Sequence, residues 1–326
     1  MPRSGLSRTE RALDPERAEF ASDVRAGLTR PHQKELPSKY LYDELGTALF
    51  EAITHLPEYG LTRADTRLLR AHARDVAGMF DAPPMVAEFG SGTGQKSRIV
   101  LEAMQSRGAT RFYPIDISEN ALAACAQELV DVAEVLPVTA NYLDGLARVT
   151  AQRREGETLL VLFLGSTIGN FERPCAREFL SELRDRLQPG DAFLLGADLV
   201  KPAAQLLLAY DDPAGVTAAF NLNLLGRINR ELDGGFDLRA FEHEARYNER
   251  ERRIEMHLRS TVDQTVKVAL ADITVRFSKD ETIWTESSHK FERAELNGMA
   301  SEAGFSVRAT WVDTEWPFAE TLWIAA

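Results

Sequence analysis

Val86-Ala87-Glu88-Phe89-Gly90-Ser91-Gly92-Thr93-Gly94-Gln95-Lys96-Ser97-Arg98-Ile99-Val100-Leu101 joins an apolar run, a glycine-spaced turn and the start of an amphipathic segment. The run ending at Gly90 reads as a buried strand, and Lys96 to Met104, apolar at helical spacing, as the helix that follows. Glycines at 90, 92 and 94 let the backbone take positive φ and remove side chains that would hold a ligand away. A turn of this kind at the first strand-to-helix crossover of an α/β sheet is where a nucleotide-derived cofactor sits. Alone it is weak support, because many α/β proteins carry such a turn without a ligand.

Glu88, two residues before the first glycine, narrows the choice of cofactor. A dinucleotide site asks for G-x-G-x-x-G and backbone amides facing a pyrophosphate. Here the third glycine comes one residue early and an acid lies close by. S-adenosylmethionine has no phosphate, only a sulfonium, an amino acid end and an adenosine, and it suits an acidic, glycine-lined turn better. Phe112 to Ser118 then forms a short apolar strand whose Asp116 is placed to accept hydrogen bonds from ribose hydroxyls. After a third strand, Asn141 and Tyr142 offer a polar group and a ring to an adenine edge and face. Asp116 alone would equally read as a helix cap, but the three sites together favour S-adenosylmethionine over NAD.

The chain has 326 residues, a formal net charge of −12 and 44% hydrophobic residues, enough for one large domain or two smaller ones. Its acidity argues against a nucleic acid partner, which needs a concentrated basic surface. No run of eighteen apolar residues and no signal-peptide pattern is present, so a cytoplasmic protein without a membrane partner is expected. Cys125 and Cys175 lack metal-ligand or disulfide spacing and read as core or half-buried residues; no metal is expected.

Residues 1–13 read as disordered. Asp14-Pro15-Glu16 opens a helix that runs to about Leu28, and Arg30 to Ser38 is an extended connection. Tyr40, Tyr42, Phe50 and Tyr59 surround a helix from Glu44 to Thr54. Of these rings, Tyr42 and Tyr59 stand beside polar or turn residues and are able to reach a ligand. Helix Arg63–Phe80 leads into the cofactor strand. Leu159 to Thr167 reads as a fourth strand, ending in a polar turn, Gly165 to Glu172, where an α/β sheet places a substrate. Helix Pro174–Leu187 and strand Ala192–Leu199 complete a fifth βα unit. From Val200 to Lys290 the alternation stops: helices and then period-two strands, such as Arg252 to Thr261 and Val266 to Phe277, read as an inserted lid. A helix from Ala294 to Ala303 and a hairpin, Ser306–Asp313 with Phe318–Ile324, close the chain at the sheet edge and bring it to seven strands.

On these residues the sequence resembles the histidine-specific Nα-methyltransferases of ergothioneine biosynthesis, over nearly all of the chain after residue 13. The motifs are Tyr42-Asp43, Leu56-Pro57-Glu58-Tyr59, Gly165 to Asn170, Asp198 to Lys201, Ala209 to Asp212 with Gly215 to Asn221, Ile254-Glu255-Met256, and Thr285-Glu286 through Ser288 to Lys290-Phe291. The resemblance implies an α/β fold: a Rossmann-like class I methyltransferase domain with a seven-strand, mostly parallel sheet (63–199 and 291–326). It also implies a second, α+β, substrate-binding domain (14–62 and 200–290), with histidine bound between the two.

Carried over by position, the resemblance places S-adenosylmethionine on Glu88, Gly90, Gly92, Lys96, Asp116, Asn141 and Tyr142. It places the amino acid end of L-histidine on Tyr59, Asn170 and Tyr210, Tyr42 near the amine as the catalytic group, and the imidazole on Glu286, Ser287 and Ser288 beside Met256. Side-chain chemistry agrees: Asn170 and tyrosine hydroxyls can donate to a carboxylate, Glu286 can accept from a ring N–H, and Ser288 can serve the other nitrogen. Two departures stand out. Asn141 replaces the aspartate common in relatives, and Gly60 replaces a second tyrosine, which implies a looser pocket wall. A monomer acting on a small molecule is expected, with three transfers to the α-amine. Methylation of another aromatic amino acid, and silent binding of S-adenosylmethionine, are the other readings left open.

Overall fold

The computed structural model describes residues 14–326, so the disorder expected over residues 1–13 lies outside them. The chain forms two compact units, the larger holding residues 59–205, 248–253 and 287–326, and the smaller holding the chain up to Glu58 with 206–247 and 254–286.

In the larger unit the strands are β1 Met85–Phe89, β2 Arg111–Asp116, β3 Glu134–Val135, β4 Val138–Thr139, β5 Leu159–Phe163, β6 Ala192–Asp198, β7 Phe305–Val312 and β8 Phe318–Ala325. Their order is β7-β8-β6-β5-β1-β2-β3, with β4 also beside β2. The first six pair in parallel, and β8 runs antiparallel to both β6 and β7. The expected third strand is two short pieces, because Pro137 between them has no N–H to give the ladder. Counted as one interrupted strand, they make seven positions. The order reverses at β1, which has β2 on one side and β5 on the other, so the crevice for a ligand opens beyond the carboxyl end of β1.

Side chains alternate across the strands, and this sorts the core into two layers. Met85, Ala87 and Phe89 join Phe163, Phe193 and Trp323 under helices Tyr142–Thr150, Arg173–Asp185 and Arg293–Glu302. Val86 joins Leu162, Leu194 and Leu322 under helices Leu61–Ala77, Gln95–Gln105 and Glu119–Leu129. Burying each such side chain contributes roughly 1.5–3 kcal/mol. The same alternation assigns Glu88, Asp198 and Glu320 to the second layer, and all three are buried there.

Two expectations are corrected here. The fourth strand stops at Phe163, not Thr167, because Gly165 (φ 71°) and Ser166 (φ 60°) are both left-handed and turn the chain into a 3₁₀ helix, Thr167–Asn170. Cys175 is exposed on its helix, whereas Cys125 is buried in the core.

The smaller unit packs helices Pro15–Leu28, Glu44–Thr54 and Val216–Leu232 with a four-strand sheet. Its order is Lys34–Glu35, Thr282–His289, Arg253–Ser260, Phe241–Asn248. Lys34 pairs in parallel with Ile283, so the expected extended connection includes a two-residue strand. Asp14 and Asp43 cap the first two helices by accepting from the N–H groups of Arg17 (2.9 Å) and Gly46 (2.7 Å). Val266–Phe277 is not one strand but a hairpin, Gln264–Val268 with Ile273–Phe277, turned by Asp272 at φ 49°. Phe241 packs edge to face with both Phe236 and Phe277 at this hairpin.

Candidate active site

All seven residues expected at the cofactor lie in the larger unit. The glycine turn has φ of 68° at Gly90, 52° at Gly92 and 80° at Gly94, a conformation that side-chain-bearing residues resist. A Cβ on Gly90 would lie 3.2 Å from the Tyr142 hydroxyl, and one on Gly94 would lie 3.1 Å from the Cys125 sulfur. A Cβ on Gly92 would meet nothing within 4 Å, so this residue faces open space.

Beneath the turn lies a buried charge cluster. The Ser97 hydroxyl donates to the Glu88 carboxyl. Lys96 Nζ donates to Asp65 at 2.8 Å, and the same Asp65 oxygen accepts the Gly165 N–H at 2.9 Å. Burial pushes Glu88 up to about 7, against the Ser97 hydrogen bond and the Lys96 charge, which favour its ionised form. Burial and the neighbouring Asp65 push Glu320 well above the carboxylate range. Burial works against the Lys96 ammonium, yet Asp65, Glu88 and Glu320 outweigh it and hold its pKa up. Lys96 alone in this cluster retains substantial side-chain exposure, 28%, and so can meet a ligand. An open glycine turn above buried acids fits the α-ammonium and the sulfonium of S-adenosylmethionine.

Asp116 ends β2, accepting the Ser118 N–H at 2.9 Å; burial raises its pKa against that bond. Asn141 caps helix Tyr142–Thr150: its Oδ1 accepts the Asp144 N–H at 2.9 Å and its amide donates to the Asp144 carboxylate at 2.7 Å. An adenine contact by Asn141 must therefore share that cap. The Tyr142 ring sits among Phe89, Phe163 and Phe179, and burial raises its hydroxyl pKa.

A second charged cluster lies at the end of β6. Asp198, fully buried, accepts from Lys201 Nζ (2.6 Å) and from the Trp316 indole N–H (3.0 Å), and it pairs with Lys290 Nζ at 3.0 Å. Lys290 also donates to the Ser288 hydroxyl at 2.8 Å. Burial raises Asp198, but the two lysines more than offset it; burial brings Lys201 down to about 8 despite Asp198. The Asp198 N–H donates to Ser166 Oγ at 2.9 Å, which anchors the turn carrying Asn170. Gly169 in that turn lies against the His289 backbone, where a Cβ would come within 2.8 Å of the carbonyl oxygen. The structure thus brings the Asn170 turn and the Ser287–Ser288 segment together. Ser287 donates to Glu172 at 3.3 Å, and Glu172 also accepts from Arg253 at 2.8 Å. Tyr59 is buried at the head of this unit.

Tyr42, Tyr210, Met256 and Glu286 belong to the smaller unit. Tyr42 is 37% exposed, and its ring packs edge-on with its centroid 5.5 Å from those of Phe50 and Phe220. Tyr210 ends its helix, and its carbonyl accepts from His243 Nε2 at 2.8 Å. The Met256 carbonyl accepts from the Thr285 hydroxyl at 3.0 Å, and the Glu286 carbonyl from the Trp284 indole at 3.0 Å. Among the described residues no group of histidines, cysteines and acids could hold a metal ion, and no helix is long and apolar enough to cross a membrane.

Residues 20–325 match the family of histidine-specific, S-adenosylmethionine-dependent methyltransferases. The chain belongs to that family. It is 43% identical to a histidine Nα-methyltransferase of Mycolicibacterium smegmatis, over 95% of this chain and 96% of that one. Identity is also 43% to the enzyme of that name from Mycobacterium tuberculosis, over 92% and 93% of the two chains. An L-tryptophan methyltransferase of Psilocybe serbica is 27% identical over 88% of this chain and 87% of its own. Among solved structures, the magnesium protoporphyrin IX methyltransferase of Synechocystis is similar with a TM-score of 0.45 and 12% identity, over 89% and 97% of the two chains.

Membership explains the strand order of this methyltransferase and its use of S-adenosylmethionine. Sequence reasoning missed Asp65 and Glu320 entirely, and it saw Asp198, Lys201 and Lys290 only as parts of motifs without a task. One implication of the sequence is corrected: Gly60 does not loosen a wall. A Cβ there would lie 2.2 Å from the Trp316 ring, so the indole already fills that space.

Proposed function

We propose that this methyltransferase transfers methyl groups to the α-amine of L-histidine three times, giving Nα,Nα,Nα-trimethylhistidine, the first step toward ergothioneine. The observation that carries the reading is the family match across residues 20–325, which includes every residue assigned below. In this reading the larger unit binds the cofactor through Glu88, Gly90, Gly92, Lys96, Asp116, Asn141 and Tyr142. Tyr59, Asn170 and Tyr210 hold the substrate carboxylate end, Tyr42 lies by the amine, and Glu286, Ser287 and Ser288 take the ring beside Met256. The expected domain division, with 63–199 and 291–326 for cofactor and 14–62 and 200–290 for substrate, belongs to the same proposal. So do a monomeric state and a cytoplasmic setting.

When bound, S-adenosylmethionine supplies a methyl group on a cationic sulfur that leaves as a neutral thioether. The protein's work is to align the amine with that carbon and exclude water. The amine must be neutral to attack, so a proton leaves before each transfer, to solvent or through the Tyr42 hydroxyl. After the third transfer the nitrogen has no lone pair, and the sequence ends.

The test is mass spectrometry of products after incubation with S-adenosylmethionine and an equimolar mixture of the twenty amino acids. Three methyl groups on histidine alone is the expected result. Methylated tryptophan or tyrosine in place of histidine would overturn the substrate, and cofactor binding without any product would overturn the activity.

A further inference from the structure

Ser288, assigned above to the substrate ring, does not stand alone on its strand. Lys290 Nζ lies 2.8 Å from its Oγ and 3.0 Å from Asp198, and both Lys290 and Asp198 are fully buried. An ammonium can only donate, so Ser288 Oγ accepts from Lys290 and turns its own proton elsewhere. Lys201, within 2.6 Å of the same carboxylate and brought down by burial to about 8, makes the cluster two ammoniums against one carboxylate toward pH 6. The Trp316 indole donates to the Asp198 carboxylate and Ser166 Oγ accepts the Asp198 N–H, so the acid that pairs with Lys290 is itself fixed. A buried excess of positive charge beside a ring subsite penalises a second cation strongly, because little water is present to screen it.

We propose that Lys290 is a positioning residue that fixes the Ser288 hydroxyl and makes its subsite select a neutral imidazole over an imidazolium. The proposal rests on Ser288 being a ring contact. Free imidazole rings change charge near pH 6.5, so the selection is read within the working range of the enzyme. Other charged groups belong to this segment: Glu286, assigned to the same ring, stands two residues before Ser288 on its strand and works in the opposite sense, His289 lies between Arg173 (2.6 Å) and Glu172 (3.6 Å), and Arg253 pairs with Glu172. Variants are therefore compared with the parent at each pH, which cancels contributions common to both.

The experiment measures KM and kcat for L-histidine between pH 6 and 8 in the parent, Ser288→Ala, Lys290→Met, the double variant and Lys290→Arg. S-adenosylmethionine binding by calorimetry reports that each is folded. In the parent KM rises as pH falls toward 6. Lys290→Met is expected to raise KM at pH 8 about tenfold, to flatten that acid rise, to change kcat less than KM, and to leave cofactor affinity within about twofold; the tenfold corresponds to about 1.4 kcal/mol. The double variant should be no worse than Ser288→Ala, and Lys290→Arg should recover most of the parent KM. Additive losses in the double variant, or an acid rise that survives Lys290→Met, would overturn the proposal while leaving Ser288 in the site. Ser288→Ala with an unchanged histidine KM would remove the site assignment itself and this inference with it. Should Lys290→Met fail to bind cofactor, Lys290→Gln, which keeps a donor without the charge, is read in the same way.

Discussion

The Lys96 ammonium lies 2.8 Å from a carboxylate oxygen of Asp65, a residue with no solvent exposure. Removing Lys96 leaves that carboxylate with the Gly165 N–H as its hydrogen-bond donor and with the acid Glu320 nearby. Lys96→Met is expected to cost about 3 kcal/mol of stability and to weaken S-adenosylmethionine binding at least tenfold. Urea denaturation and calorimetry measure the two effects. Unchanged values for both would show that the pair does neither job.

Glu88 carries a stability cost that varies with pH. Its pKa in the fold is about 7, above the ordinary 4.5, because burial disfavours the charge. Stability linked to it is therefore complete below about pH 4.5 and is lost as pH rises toward 7. Glu88→Gln should stabilise the free protein at pH 8 by up to about 3 kcal/mol, with a much smaller gain at pH 5. A cationic ligand favours ionised Glu88, so parental affinity for S-adenosylmethionine should increase through pH 7 and that increase should vanish in the variant. Denaturation and calorimetry at the two pH values decide it.

Three histidines, His257 and His289 buried and His243 half-buried, make the opposite demand on acid. Burial lowers the pKa of His243, His257 and His289. Each binds its proton more readily when unfolded, so stability should fall as pH drops below about 6.5. His243 accepts from the Asn221 amide at 2.9 Å and donates to the Tyr210 carbonyl, so protonating it turns an acceptor into a second donor facing a donor. His243→Gln should reduce the slope of melting temperature against pH between 5.5 and 7. A slope equal to the parent's would assign the acid sensitivity to the other two.

Gly60 is fixed by space and not by backbone angle, since its φ is −73°. Gly60→Ala is expected to cost about 1–3 kcal/mol, because the Trp316 ring must shift away from Asp198. Thermal melts should show a smaller cost for the same change in a Trp316→Leu background. An equal cost in both would show that the indole does not cause it.

The sheet and most helices were legible because their signals are local. Glu44–Thr54 and Pro15–Leu28 announced themselves through caps, and the buried parallel strands through apolar runs. Asp65 was not legible: on a helix between Arg63 and Arg67 it reads as a solvated charge, and its burial is made by a turn 100 residues later. Glu320 was hidden for a related reason. A final hairpin suggests an edge strand with one wet face, but β8 lies inside, between β6 and β7, so its acid has no water to face. Lys290 and Asp198 carried motif signals whose chemistry only the three-dimensional arrangement defines. The fourth strand was overextended because two consecutive left-handed residues, one of them a serine, leave no mark in a hydrophobic pattern.

The pairing of Lys34 with Ile283 sets a timetable for the newborn protein. The ribosome must add 249 residues after Lys34 before its partner exists, which at ~5–20 residues per second is a wait of ~12–50 s. Helix Pro15–Leu28 emerges long before Val216–Leu232, which it packs against. Its apolar residues Phe20, Val24 and Leu28 must be shielded in the meantime. The sheet of the smaller unit therefore cannot close until Ile283 has been made, and the segment around Lys34 waits longest for its partner.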